Sequence, residues 1–275
     1  MAEIVGGFLL PHDPLISAAP DAPSPEQKNA VMQAFETVSK RIKELAVDTV
    51  IVVGDDHYTV FGPHCIPRAL IVIGEADGPV EPWLGLPRVP FRTNQKLAQH
   101  IMQYGFDNGL DWAVAKDITL DHSTSVPIHY SLSQHDNVSA IPVYVNSGVE
   151  PVISSQRCYE IGQLMREAVS QWQGRERVAI FGTGGLSHWV GMAPMGQVNI
   201  DWDQQVLSAV QQGDAQKLIN MSDGDILEQS GNGALEIKNW ITAMGFMGES
   251  RGEVIEYQAV HEWVCGCGFA ELAAA

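Results

Sequence analysis

Short apolar runs alternating with longer amphipathic stretches constrain this chain more than any other feature. The runs lie at residues 4–10, 49–53, 69–73, 138–145 and 178–181, and most are rich in Val and Ile. Runs of this length bounded by turn residues read as buried strands. Parallel strands need a crossover long enough to hold a helix, so strands that alternate with helices build an α/β domain. The expectation is therefore an α/β fold with a mixed, largely parallel central sheet flanked by helices. No internal repeat, low-complexity tract or linker divides the sequence, so a single domain over residues 1–275 is expected.

The helical stretches carry their own signals. Ser24, Pro25 and Gln27 read as an N-cap, a first helical position and the third residue of a capping box. Val31, Phe35, Val38, Ile42 and Leu45 then recur at helical spacing. Thr93 is placed to cap a helix burying Leu97 and Ile101, and Cys158, Ile161, Met165 and Trp172 mark another. Gly245 is expected to end a helix over residues 234–244.

In open α/β sheets, ligands bind outside the carboxyl ends of the strands. The first strand run is followed by Pro11-His12-Asp13 and the second by Gly54-Asp55-Asp56-His57. The run ending at Phe181 leads into the glycine-rich segment that carries His188. Three strand ends thus deliver three histidines to one side of the sheet. Gly182, Gly184 and Gly185 match neither a phosphate-binding loop nor a dinucleotide fingerprint, and no lysine follows them. A turn that brings an imidazole to the sheet rim is what remains. His122 sits in a loop-like stretch over residues 117–127. His64, His100, His129, His135 and His261 lack such context and read as surface or structural residues.

The charge balance excludes several classes. With 33 acidic and 16 basic residues the net charge is −17, which disfavours nucleic acid and anionic membranes. No 18-residue apolar stretch and no basic leader are seen, so a soluble, cytoplasmic protein is expected. Cys65, Cys158, Cys265 and Cys267 make no disulfide framework, and the C-x-C pair at 265 and 267 reads as ordinary reduced thiols.

Two neutral imidazoles and one carboxylate can occupy one face of a ferrous ion and leave other positions open. Pattern alone does not select the carboxylate. Glu236, near the start of an apolar helix, is one candidate, and Asp13, Asp55 and Asp56 are others as ligands or supporting partners. A first-turn carboxylate favoured by the helix dipole explains Glu236 equally well.

Resemblance narrows the choice. GFLLPHDPLI, VVGDDHYTVF, DHSTSVP, GTGGLSH and NGALEIKNWI occur in the same order as in the catalytic subunit of class III extradiol ring-cleaving dioxygenases, which this chain resembles over most of its length. Protocatechuate 4,5-dioxygenase β subunits are the familiar members. The resemblance implies a non-haem Fe(II) held by His12, His57 and Glu236, with O2 and a catechol-like ring as substrates. It assigns His188 as the acid–base histidine and His122 as a second active-site histidine that hydrogen-bonds the oxygen-bearing species. Other uses of the fold are a non-redox metal-binding protein of the Memo-like kind and a zinc hydrolase in which one metal activates water.

Two departures bear on substrate and partners. Two-subunit members close the pocket with a small helical α subunit, and no fused segment replaces it here. Either a separate α subunit or homo-oligomerisation is expected to close the site. Residues 257–263 differ from the region that holds the substrate carboxylate in protocatechuate enzymes, and Glu262 there would repel one. A neutral or nitrogen-containing ring, such as a hydroxypyridone or an aminophenol, is the expected alternative.

Overall fold

The computed structural model describes residues 1–273. Its strands are β1 (Glu3–Leu10), β2 (Thr49–Gly54), β3 (Ala69–Gly78), β4 (Val89–Phe91), β5 (Ala113–Thr119), β6 (Ser139–Val145), β7 (Arg177–Thr183), β8 (Gly252–Val260) and β9 (Cys265–Ala273). All nine join one sheet in the order β4-β3-β6-β2-β7-β1-β9-β8, with β5 added beside β3. The centre, β6-β2-β7-β1, is parallel throughout. Towards the edges β3 runs antiparallel to β6 and to β4, β9 antiparallel to β1, and β8 antiparallel to β9. The parallel expectation therefore holds for the centre, where sequence runs are most apolar, while the outer strands make the sheet mixed.

The central strands are buried on both faces because successive side chains point to opposite sides. In β2, Ile51 and Val53 enter one hydrophobic cluster, and Val50 and Val52 enter the other. The first face is covered by the helices Gln95–Asp107, Ser155–Gln171, Ile200–Gln212 and Ile237–Met247. The second is covered by the helices Pro25–Glu44 and His122–Leu132. Ser24 caps the helix Pro25–Glu44 as its spacing predicts, its hydroxyl accepting from the Gln27 amide at 3.2 Å.

Local sequence misled in three places. Asn94, not Thr93, caps the helix Gln95–Asp107; the Thr93 hydroxyl instead donates to the Gly74 carbonyl. The loop-like stretch around His122 is the end of β5 followed by the helix His122–Leu132, capped by Asp121. Its polar first turn and Pro127 resemble a loop, but a proline is tolerated where the carbonyl it leaves free finds another donor. Gly245 does not end its helix, which continues to Met247 and stops at Gly248 in the left-handed region (φ 70°).

Gly245 serves packing instead. A Cβ at Gly245 would lie 2.2 Å from the Tyr159 carbonyl oxygen, and one at Gly162 would lie 2.1 Å from the Thr242 carbonyl oxygen. The two helices thus touch backbone to backbone, and neither contact is a flexible side chain that moves aside. This contact fixes the helix that begins beside Glu236. Gly245→Val is expected to destabilise the fold by at least about 1–3 kcal/mol, the usual range for an overpacked core. Urea unfolding reads this, and an unshifted midpoint would contradict the close-contact account.

Candidate functional site

Because β1, β2 and β7 are adjacent and parallel, their carboxyl ends lie side by side. His12, His57 and His188 follow these ends at short distances, and Glu236 enters from the single-turn 3-10 helix Gly233–Glu236 that precedes the helix Ile237–Met247. His12 Nε2 lies 3.1 Å from Glu236 Oε2, and His57 Nε2 lies 3.1 Å from Glu236 Oε1. Asp55 joins them, with one ligand atom from each of the four residues within 4.8 Å of the others. His122 stacks on the His57 ring at 4.0 Å between centroids, and His188 Nε2 stands 3.6 Å from Glu236 Oε1. All five residues expected from the sequence therefore meet at one place.

Each imidazole beside Glu236 is tethered on its far side. The Thr183 hydroxyl directs its proton to the carbonyls of Val53 and Ser123, each at 2.9 Å, so its oxygen accepts from His12 Nδ1 at 3.0 Å. Ser123 has a carbonyl to offer because Pro127, four residues on in the helix, has no N–H to bond it. His57 Nδ1 donates to Asp121 Oδ2 at 3.0 Å. Asp121 also accepts from the Tyr144 hydroxyl at 2.9 Å and the Ser123 hydroxyl at 2.7 Å. Burial alone would raise the Asp121 pKa, but the His57 hydrogen bond and charge outweigh it and hold the carboxyl well below the usual range.

With both Nδ1 atoms committed as donors, both Nε2 atoms face the same carboxylate. Two imidazole nitrogens aimed at one anion form a cation site, filled by protons or by a metal. His57 shows the first state: burial would depress its pKa, yet Asp55, Asp121 and Glu236 raise it well above the ordinary histidine value. Of the four residues in this group, His12 and Asp55 each leave a buried atom without a hydrogen bond, Nε2 and Oδ2. Metal–ligand bonds of about 2.1 Å put ligands at right angles about 3.0 Å apart, close to the 3.1 Å found from each histidine to one of the two Glu236 oxygens. Distances, donor types and orphaned atoms all fit one divalent ion held by His12, His57 and Glu236. Asp55, whose Oδ1 accepts from Asn239 Nδ2 at 2.9 Å, supports the group; burial and then Glu236 push its carboxyl up to about 6.

Of the other carboxylates, Asp56 turns away and caps the segment after His57, accepting from the amides of Thr59 and Val60. Asp13 accepts from the Leu15 amide at 2.7 Å and lines the cavity; burial pushes it up to about 6. The glycine run before His188 makes room. A Cβ at Gly185 would come within 2.9 Å of the His188 ring, and one at Gly233 would overlap its Nε2 at 1.9 Å. The ring is thereby held flat between two backbones, with Nδ1 donating to the Leu186 carbonyl at 3.0 Å. His100 and His261 bond the carbonyls of Ala168 and Gly196, and His135 bonds Ser39, all outside this cluster.

A cavity of about 360 Å³ opens over these groups. Its walls include Leu15, Trp83, Val190, Met195, Val264 and Cys265, and no lysine or arginine is among its described lining residues. Glu262 lies outside it, exposed on the surface, so the acidic wall expected there comes instead from Asp13 and Glu81. Glu81 had no sequence signal: it lies in the connection after β3, yet is buried with Oε1 2.5 Å from His122 Nδ1. Burial, then Asp121, pushes its carboxyl up to about 7. Thr183 and Asp121 lie inside recognisable blocks, but their roles depend on partners 171 and 64 residues away. Cys158, Cys265 and Cys267 are buried free thiols, and none enters a metal-competent group among the described residues.

Two outcomes test this geometry. Thr183→Val removes the acceptor behind His12 and is expected to weaken divalent-metal affinity about 10- to 100-fold, read by competition with a chromogenic chelator; unchanged affinity would remove the tether. Metal binding near neutral pH is also expected to release protons, because the ion displaces those held beside Glu236. Calorimetry in buffers of different ionisation enthalpy reads this, and affinity should fall as pH falls. Identical heats in all buffers would contradict the proton-filled state.

The chain is 23% identical to a 2,3-dihydroxyphenylpropionate/2,3-dihydroxicinnamic acid 1,2-dioxygenase of Photorhabdus laumondii, over 93% of each chain. It is 22% identical to a Rhodococcus enzyme of the same description, over 94% of each. The crystal structure of an uncharacterized protein from Escherichia coli K12 shares the fold, with a TM-score of 0.62 at 10% identity, over 98% of this chain and 100% of that one. Residues 6–270 match the family described as the catalytic LigB subunit of aromatic ring-opening dioxygenase, and the chain belongs to that family.

Proposed function

We propose that this chain is the catalytic domain, over residues 1–275, of an Fe(II)-dependent extradiol dioxygenase that opens a catechol-like, aminophenol-like or hydroxypyridone-like ring with both atoms of O2. The observation that carries the reading is the pair of 3.1 Å approaches of His12 and His57 to the two oxygens of Glu236. His12, His57 and Glu236 would hold the iron, which supplies open positions for two adjacent ring substituents and O2 and lets electron density pass between them.

The chain's own residues supply the rest. His188 donates Nδ1–H to the Leu186 carbonyl, so Nε2 is the atom that takes a ring hydroxyl proton and returns it later. Burial would lower the His188 pKa, but the Glu236 carboxylate outweighs this and raises it to about 10. With a divalent ion held at Glu236, that attraction would be cancelled and His188 would act as a neutral base. His122 faces the same cavity from the helix N-terminus and hydrogen-bonds the substrate oxygens. Asp13 and Glu81 oppose a carboxylate attached directly to the ring, which favours neutral or nitrogen-bearing rings.

Trp83, Val190 and Met195 line the cavity yet are 56%, 50% and 52% exposed, an apolar mouth suited to closure by a small helical α subunit or a second copy of the chain. Among the described residues no helix is long and apolar enough to cross a membrane. Action in the cytoplasm is part of the same reading, and the free state of the four cysteines accords with it.

An oxygen electrode with Fe(II)-loaded protein tests the reading against catechols, gallates, aminophenols and hydroxypyridones. One O2 consumed per ring opened is expected, with zinc giving no turnover. His188→Phe should keep its iron and lose about 10²- to 10⁴-fold in kcat, the range for a lost acid–base group. Glu236→Ala should lose the iron, while Asp214→Ala, at an exposed helix cap, leaves both intact. Full activity in His188→Phe, or equal iron in Glu236→Ala and Asp214→Ala, would overturn these assignments.

A further inference from the structure

Glu81 is a buried carboxylate of the cavity wall that is bonded to none of Glu236, His12, His57 and His188. Its segment is held against the end of β5 by backbone bonds, Leu120 N–H to the Asp77 carbonyl and Val80 N–H to the Leu120 carbonyl, each at 2.8 Å. Pro82 keeps Glu81 extended (φ −94°, ψ 104°) and so directs its side chain inward, where it is 3% exposed. Oε1 lies 2.5 Å from His122 Nδ1, while Oε2 is buried without a partner. A carboxylate in such a place costs desolvation, and one hydrogen bond does not offset what an apolar residue would avoid. Packing alone therefore does not account for it.

We propose that Glu81 is a positioning residue that acts through His122. An ionised carboxylate only accepts, so above the pH of about 7 at which Glu81 ionises it fixes the proton of His122 on Nδ1 and leaves Nε2 as an acceptor facing the cavity. The same contact opposes turning over of the ring, which packs against the rings of His57, His12 and Trp83. The consequence is specific: His122 receives a hydrogen bond or a proton from the substrate and does not donate one. The kinetic part of this role rests on the ring-opening reading; the tautomer does not.

Nitrogen-15 NMR of metal-free, histidine-labelled protein reads the tautomer directly. Well above pH 7, where Glu81 is ionised, wild-type His122 is expected as the Nδ1–H form; in Glu81→Ala the two forms mix, and in Glu81→Gln, whose amide oxygen still accepts, the Nδ1–H form returns. In the iron-loaded enzyme, Glu81→Ala should bind iron and ring substrate nearly normally but lose about 10- to 100-fold in kcat, as for other partners that orient an active-site histidine. Glu81→Gln should recover most of that loss. In a His122→Phe background, Glu81→Ala should change kcat no further, because residues acting as a unit are not additive. An unchanged His122 signal in Glu81→Ala, loss of iron, or additive losses in the double variant would overturn the proposal. If no ring substrate is turned over by the wild type, the function fails while the NMR result still decides the role of Glu81.

Discussion

Everything in this molecule's active cavity depends on one arrangement: the Glu236 carboxylate caught between His12 Nε2 and His57 Nε2 at 3.1 Å each. Left to themselves, imidazoles near a carboxylate rotate and donate their protons to it. Here rotation is blocked, because each Nδ1 is already spent on a buried partner, Thr183 for His12 and Asp121 for His57. What remains at the centre is a set of electron pairs around a gap that only a cation suits. Protons fill it reversibly, and its spacing would also suit a divalent ion.

The supporting shell reaches further than the ligands. Asp121 is at once the helix cap, the acceptor for Tyr144 and the anchor of His57, so one residue ties helix start, sheet and imidazole together. Pro127 acts on His12 at one remove: by lacking an N–H it leaves the Ser123 carbonyl for the Thr183 hydroxyl. The close contact at Gly245 and Gly162 fixes the helix that follows Glu236. Rigidity of this kind is what keeps a metal site open on one side while its ligands stay in place.

The cavity has an uneven character that bears on chemistry. Its floor carries the carboxylates of Asp13, Glu81 and Glu236 and four imidazoles, with Asp55 and Asp121 buried behind them, while its mouth is apolar. Such a floor concentrates cations and hydrogen-bond donors, and such a mouth admits a flat ring. Burial raises the Asp13, Asp55 and Glu81 carboxyls to about 6, 6 and 7, while the neighbouring histidines hold Asp121 and Glu236 well below the usual carboxylate range.

The sequence by itself determined the central strands, the helix Pro25–Glu44 and the convergence of His12, His57 and His188, because apolar periodicity and strand ends are local properties. His122 and Glu236 were reached through blocks that resemble a family, not through spacing. The strands β4, β5 and β8 escaped notice because they are short or only half buried, and β9, though buried between β1 and β8, is too glycine- and cysteine-rich to show a continuous apolar run. Helix boundaries at Asn94, Asp121 and Gly248 were misjudged for a related reason: capping and helix contact depend on which neighbour occupies the other side. Only the tertiary structure decided that Thr183, Asp121 and Glu81 stand behind the histidines, that Glu262 lies outside the cavity, and that Gly245 packs a helix instead of ending it. A hydrogen bond between residues 171 positions apart leaves no periodic trace in either, since it exists only once the sheet has brought both strands to the same edge.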